Sequence, residues 1–193
     1  SLTKFFSGYG NVLAGSLVIN PHGKRSQDLR TAINDDFEEN LSDSDVVVLA
    51  TNSQNHVKRT STINRNAMLL VEFLSKHPAV ESVFHPSIAR KNYDNLRSAN
   101  GGYGGLLSIV LKDAQNSTPK VFDVLEVCKG PNLGTHFTLC CPYTLLAHYD
   151  ELDFAESCGV SRWLLRISVG TEPIDELIAR FDRALMHGTR PSR

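Results

Sequence analysis

The first eight residues, Ser1-Leu2-Thr3-Lys4-Phe5-Phe6-Ser7-Gly8, constrain the fold of this chain more than any other stretch. The turn glycine at its end is followed by a mostly apolar run over 11–19, which stops at Asn20-Pro21. Short apolar runs bounded by turn residues are typical of buried strands. The pattern therefore predicts a polar loop that carries a lysine and leads into a buried strand.

The residue types in this loop suit one kind of ligand. Ser1 and Thr3 supply hydroxyl donors for phosphate oxygens, and Lys4 supplies an amine that can form a Schiff base with an aldehyde. The combination predicts a site for a phosphorylated aldehyde cofactor. The tetrad alone leaves a second interpretation open, an ordinary solvated lysine on the surface.

Charge and composition exclude several function classes. The 193 residues carry 20 basic and 21 acidic side chains, so neither nucleic acid nor an anionic membrane is an expected partner. No apolar stretch reaches the length of a membrane span, and the N-terminus lacks a secretory-signal pattern. Cys128, Cys140, Cys141 and Cys158 lack zinc-ligand spacing, so we expect no metal site and reduced thiols in a cytoplasmic protein.

Hydrophobic periodicity predicts a chain that mixes helices and strands. A helix is expected after Ser26, and apolar residues at helical spacing predict a long helix through Ile63, Ala67, Leu70, Val71 and Leu74. Further expectations are strands at Val80–Phe84, 106–111 and 163–170, a helix around 121–125, a helical stretch over 145–155, and a last helix with Thr171 as its N-cap.

Arg166 lies inside the apolar run Trp163–Gly170. A guanidinium in such a strand costs free energy unless it meets a partner or the mouth of a cavity. Its planar fork matches a carboxylate, as amino-acid substrates require. Local sequence leaves open the alternative of a structural pair with a nearby Asp or Glu.

Several motifs, in the same order along the chain, resemble those of the trans-sulfuration (Cys/Met metabolism) family of pyridoxal-phosphate enzymes. They are the S-x-T-K tetrad, the His77-Pro78-Ala79-Val80 segment with His85-Pro86, the Gly102–Ser108 strand, Leu133-Gly134, and Leu165–Glu172, which is similar to R-x-S-x-G-x-E. The stretches 129–135 and 142–149 resemble the fungal cystathionine γ-synthase branch of that family in particular.

The resemblance implies an α/β chain with a partial fold type I of PLP-dependent transferases. The parts expected are a remnant of the PLP-binding large domain at 1–60, a connecting helix at 61–79, and a small α+β C-terminal domain at 80–193. It also favours a helix over Asp45–Thr51, where the valines alone would favour a strand. We expect the chain to be the C-terminal half of a longer enzyme, because the ring-stacking aromatic, the acid at the pyridine nitrogen and a phosphate-binding glycine turn precede the lysine in this family.

The resemblance also assigns roles to residues. Lys4 would hold pyridoxal 5′-phosphate as a Schiff base and move protons, Ser1 and Thr3 would bind its phosphate, and Arg166 would bind the substrate carboxylate. Asn132 stands where the family usually has Ser near the substrate, which puts substrate choice in doubt. Tyr9 and Asn11 likewise replace a common His and Asp.

The implied reaction joins an O-acylhomoserine to cysteine, and the implied assembly is a homotetramer. A cystathionine γ- or β-lyase of the same family is the nearest alternative activity. A truncated, non-catalytic fragment that acts only in subunit interaction is the alternative from a different class.

Overall fold

A computed structural model of the chain describes residues 1–188. It contains two compact units, Ser1–His56 and Val57–Arg193, the second described as far as Gly188. The helices are α1 Ser26–Asp36, α2 Asp43–Ser53, α3 His56–Lys76, α4 Ala114–Val124, α5 Tyr143–Ala147, α6 Leu152–Ser157 and α7 Ile174–Gly188. The strands are β1 Val80–Phe84, β2 Leu106–Leu111, β3 Cys128–Lys129, β4 Leu139–Pro142 and β5 Leu165–Ser168.

The first unit holds α1 and α2. The helix expected over Asp45–Thr51 is confirmed as part of α2. Ser42 caps the start of this helix, and its hydroxyl oxygen accepts the backbone N–H of Asp45 at 3.2 Å. The carboxylates of Asp43 and Asp45 in the first turn also stabilise the helix, because they lie at the positive end of its dipole. These end effects outweigh the strand propensity of the valines between them.

The strand predicted over 11–19 does not form. Within the described residues this segment has no ladder partner and no regular secondary structure. A strand exists only when a neighbour accepts and donates its backbone hydrogen bonds. Leu17 and Val18 are accordingly 71% and 88% exposed.

The second unit contains a five-stranded sheet in the order β1-β2-β5-β4-β3. All neighbouring pairs are antiparallel except β3 with β4. The strands expected at Val80–Phe84 and 106–111 are confirmed with the predicted bounds. β5 is the central strand and all of its residues are buried, so both of its faces are covered.

One hydrophobic core joins the sheet to α3, α4 and α7. The side chains that α3 buries include every residue that the periodicity had singled out, Ile63, Ala67, Leu70, Val71 and Leu74. Leu165 and Ile167 of β5 belong to this core. Since side chains alternate along a strand, Arg166 and Ser168 face the other side of the sheet.

Two predicted helix features are wrong. The stretch 145–155 is interrupted at His148, whose backbone leaves the helical region at φ −131° and ψ 29°, and a 3-10 turn separates α5 from α6. Thr171 does not cap α7, because its hydroxyl donates to the carbonyl of His136 at 2.9 Å and the helix begins at Ile174.

No helix among residues 1–188 is long and apolar enough to cross a membrane. The same part of the chain shows no group of three or more His, Cys, Asp or Glu side chains arranged to hold a metal ion.

Candidate functional site

The lysine loop is a tight turn in the first unit. The N–H of Gly8 donates to the carbonyl of Lys4 at 2.7 Å, and the N–H of Ser7 donates to that of Leu2 at 3.0 Å. Gly8 has φ 78°, a conformation that glycine adopts without strain. Lys4 is half-buried and Ser1 is exposed.

Thr3 fastens this turn to the segment that follows it. Its hydroxyl accepts the N–H of Ala14 at 2.9 Å and donates to the carbonyl of the same residue at 3.3 Å. The donated bond is the longer one, so the hydroxyl can rotate its proton toward a phosphate oxygen and keep the shorter bond. Ser1, Thr3 and Lys4 lie within one short turn, and their two hydroxyls and one amine are donors of the types that a phosphorylated aldehyde requires.

Asn52 of α2 also supports the loop, and sequence reasoning missed it. Its side-chain amide donates to Ser7 Oγ at 2.9 Å and to Asn11 Oδ1 at 2.8 Å. These partners lie more than forty residues away along the chain, as the separations of 45 and 41 show. Nothing in the sequence connects Asn52 with residues 7–11. Only the fold shows that α2 brings its side-chain amide to this loop.

Arg166 is 9% exposed, which places a permanent positive charge inside the second unit. One of its terminal nitrogens, Nη2, donates to the carbonyls of Pro131 and Asn132, the latter at 3.2 Å. The guanidinium carbon lies 4.3 Å from the ring centre of Tyr143. Within residues 1–188, Arg166 forms no ion pair with a carboxylate, which removes the structural pair that local sequence had left open.

The loop that carries Asn132 is attached to β5 at two points. Arg166 binds its backbone carbonyls, and Ser168 Oγ accepts the N–H of Gly134 at 2.9 Å. Gly134 has φ 79°, so the turn there requires a residue without a Cβ. The structure thus brings Asn132 and Arg166 together through the main chain of the loop.

Glu172 fixes the next part of the same segment. Its carboxylate accepts the backbone N–H of Thr138 at 2.5 Å and the Thr138 hydroxyl at 2.9 Å. That hydroxyl in turn accepts the N–H of Gly170 at 3.0 Å, and the Asn66 amide donates to the carbonyl of Glu172 at 2.9 Å. Every second residue from 166 to 172 therefore positions the segment between 131 and 138.

The buried cysteines beside this site are not nucleophiles. Burial raises the pKa of the Cys140 thiol to about 12. Burial also raises the pKa of Cys141, although the adjacent Arg166 opposes the change. Both remain protonated near neutral pH, and a thiol attacks as its thiolate.

Comparison with known proteins gives one consistent family. The profile of the Cys/Met metabolism PLP-dependent enzymes matches residues 1–186. Cystathionine gamma-synthase of Neurospora crassa is 44% identical over 187 residues, which cover 96% of this chain and 30% of that relative. The chain therefore spans about a third of the length of such a relative.

Two solved structures share the fold. Cystathionine gamma synthase of Xanthomonas oryzae pv. oryzae, solved in complex with cystathionine, gives a TM-score of 0.81 at 21% identity over 97% of this chain and 49% of its own. A Campylobacter jejuni protein described as an O-acetylhomoserine (thiol)-lyase, with N′-pyridoxyl-lysine-5′-monophosphate, gives 0.77 at 21% identity over 96% of this chain and 52% of its own. The ordered motifs, the fold and the profile agree, and the chain belongs to the Cys/Met metabolism family of PLP-dependent enzymes.

Proposed function

We propose that this chain carries the lysine and the carboxylate-binding arginine of a cystathionine γ-synthase-like enzyme. The observation that supports this most directly is the buried guanidinium of Arg166, which has no carboxylate partner in the described part of the chain. Leaving a charge buried without a counter-ion costs several kcal/mol, on the order of 3–5. A substrate carboxylate would remove that cost, and its two oxygens match the guanidinium fork.

Lys4 is the residue proposed to hold pyridoxal 5′-phosphate through its amine, with Ser1 and Thr3 as phosphate donors. The bound cofactor supplies an electron sink for the substrate Cα. With its amine free, Lys4 would take one proton from Cα and a second from Cβ before the Cγ–O bond breaks, and would return one proton to each carbon after the sulfur has added.

The proposed reaction is a γ-replacement. The Cγ–O bond of an O-acylhomoserine breaks and the acyl group leaves as its carboxylate. The sulfur of cysteine forms the new Cγ–S bond, its proton is released, and cystathionine is the product. The similarity to the Neurospora crassa cystathionine gamma-synthase is what favours this reaction within the family.

The role of Lys4 is tested by reduction with borohydride in the presence of pyridoxal 5′-phosphate, followed by mass spectrometry of the peptides. We expect an absorption band that Lys4→Ala loses, and a phosphopyridoxyl adduct on Lys4. Lys24→Ala, a change of an exposed lysine in the same unit, should keep both signals. Labelling spread evenly over surface lysines would contradict the proposal.

The reaction type is tested with the purified chain supplied with cofactor. Cystathionine formed from O-acetyl- or O-succinylhomoserine and cysteine identifies the synthase. Cystathionine consumed to give cysteine identifies the γ-lyase, and cystathionine consumed to give homocysteine identifies the β-lyase. Either lyase result would overturn the proposed γ-replacement while leaving the roles of Lys4 and Arg166 in place.

A second candidate function, an association module, is favoured by the surface of the first unit. A groove of about 1110 Å³ between residues 15–19 and α1 is lined by apolar side chains that include Leu17, Val18 and Phe37. Neither α1 nor α2 buries a single residue in this structure. Exposed apolar patches of this kind mark surfaces that pack against another polypeptide.

Sedimentation of the purified chain, together with the adduct measurement on Lys4, separates the two candidates. A folded chain that self-associates, or that binds another segment of such an enzyme, but forms no Lys4 adduct supports the module. Leu17→Glu should then weaken the association, whereas Leu96→Glu, an exposed position of the second unit, should not. Formation of the Lys4 adduct supports the enzyme in any oligomeric state.

A further inference from the structure

The ring of Tyr143, the first residue of α5, lies beneath the guanidinium carbon of Arg166. Its ring centre is 4.3 Å from the guanidinium carbon, well inside the range of a cation–π contact. β4, which ends at Pro142 immediately before Tyr143, pairs antiparallel with β5. The backbone N–H of Tyr143 donates to the carbonyl of Leu164 at 3.2 Å. This hydrogen bond holds the backbone of Tyr143 beside the strand that carries Arg166.

Two kinds of contact together fix the plane of the guanidinium. The carbonyls of Pro131 and Asn132 hold its Nη2 end, and its central carbon lies over the ring of Tyr143. Carbonyl contacts at one nitrogen alone would still allow the fork to tilt about that end. An aromatic ring 4.3 Å from the guanidinium carbon limits that tilt, because the group would have to leave the cation–π contact in order to move.

The two carbonyl contacts of Arg166 use Nη2, so the other guanidinium nitrogens are the ones that could bind a further oxygen ligand. In the described residues, the two loop carbonyls are the only oxygen acceptors within hydrogen-bond distance of Arg166. The thiol of Cys141, on the strand paired with β5, lies beside the group and is a weak acceptor. A carboxylate needs two parallel N–H groups presented in one plane, so its binding depends on that plane being held.

We infer that Tyr143 is a positioning residue that presents Arg166 to the carboxylate of an amino-acid substrate. This inference rests on the proposed function, because it assigns Arg166 a carboxylate ligand. The aromatic ring makes the contact with the guanidinium, and the tyrosine hydroxyl takes no part in that contact. Phenylalanine at 143 should therefore replace tyrosine, and an aliphatic residue should not.

The test uses the full chain labelled with ¹³C,¹⁵N-arginine and follows the Arg166 side chain by NMR. We expect slow rotation about the Nε–Cζ bond in the unchanged protein and in Tyr143→Phe, and fast rotation in Tyr143→Leu. Added O-acetyl-L-homoserine should shift the Arg166 signals, with an affinity about tenfold lower in Tyr143→Leu than in Tyr143→Phe. Tyr149→Leu, which removes a tyrosine that is 72% exposed, should match the unchanged protein in every measurement.

Particular results would overturn the inference. If Tyr143→Leu leaves both the rotation and the affinity unchanged, Tyr143 does not position Arg166. If O-acetyl-L-homoserine shifts no Arg166 signal in the unchanged protein, the proposed function fails and a carboxylate role for Tyr143 fails with it. Tyr143→Met keeps side-chain volume without a ring and replaces Tyr143→Leu if that variant does not fold.

Discussion

The carboxylate of Glu172 accepts two hydrogen bonds from Thr138, one from its backbone N–H at 2.5 Å and one from its hydroxyl at 2.9 Å. Thr138 is 1% exposed, so neither donor has water as an alternative. This pair ties the turn after β5 to the residue before β4. It therefore sets the position of the segment that continues back to Asn132.

Glu172→Ala should lower the free energy of unfolding by about 3 kcal/mol, because two buried donors lose a charged acceptor. The measurement is urea unfolding followed by circular dichroism. Glu176→Ala removes an exposed carboxylate of α7 whose ion pair with Arg180 spans 3.8 Å, and should cost about 0.5 kcal/mol or less. Equal losses in the two variants would contradict the role given to Glu172.

Gly170→Ala should be poorly tolerated because the added Cβ meets atoms that cannot move aside. It would lie 2.6 Å from the backbone carbonyl oxygen of His136 and 2.6 Å from the carbonyl carbon of Phe137. We expect a loss of roughly 2–3 kcal/mol of unfolding free energy. Gly15→Ala, where no atom lies within 4 Å of the new Cβ, should leave the thermal midpoint of the second unit unchanged.

His85 makes the stability of the second unit depend on pH. It is 6% exposed, and its Nδ1 accepts the N–H of Ser87 at 3.2 Å, so the ring is neutral with its proton on Nε2, facing the carbonyl of Gly104 at 3.3 Å. Burial lowers the pKa of His85 in the folded state. The unfolded chain therefore binds a proton more readily as the pH falls below about 6.5.

We expect the His85 contribution to the free energy of unfolding to be at its maximum above about pH 6.5. It should decrease as the pH falls toward the lowered pKa of His85. His85→Gln should flatten this decline, since glutamine does not titrate. Urea titrations at a series of pH values from 7.5 down to 5 measure it. His22→Gln, a change of an exposed histidine in the first unit, should leave the decline in place.

Asn52→Ala should loosen the lysine loop by about 1–2 kcal/mol, because it removes the amide that bridges Ser7 and Asn11. Hydrogen exchange of the amides in 7–11 reports this local opening directly. Ser53→Ala is the matched control, since the Ser53 hydroxyl donates only to the Ala50 carbonyl of its own helix at 2.9 Å. Unchanged exchange in Asn52→Ala would mean that the backbone turn alone holds the loop.

Hydrophobic periodicity correctly predicted the helices and strands whose apolar faces pack against other described parts of this chain. The α3 face from Ile63 to Leu74 and the alternating strand Leu106–Leu111 both pack against one core, so pattern and structure coincide. The run 11–19 has the same kind of pattern, but it forms no strand because no neighbour pairs with it. α2 shows the converse, since its capping residue decided the outcome against the propensity of its valines.

The sequence indicated which residues to consider for the candidate site, but it indicated few of the contacts that those residues make. Arg166 stood out because it is a cation in an apolar strand, and that signal is local. Its partners are main-chain carbonyls 34 and 35 residues away, and carbonyls leave no trace in the sequence. Tyr143 is likewise invisible as a partner until β4 and β5 are paired.

Arg166 binds Asn132 through its carbonyl, a group that every amino acid at this position would supply. The side chain at 132 can therefore be exchanged without removing the contact that orients the arginine. On the proposed function, the side chain at 132 can alter substrate choice while the main chain at 132 continues to orient the arginine that anchors the carboxylate. An asparagine where the resemblance implies a serine is therefore compatible with an unchanged anchor.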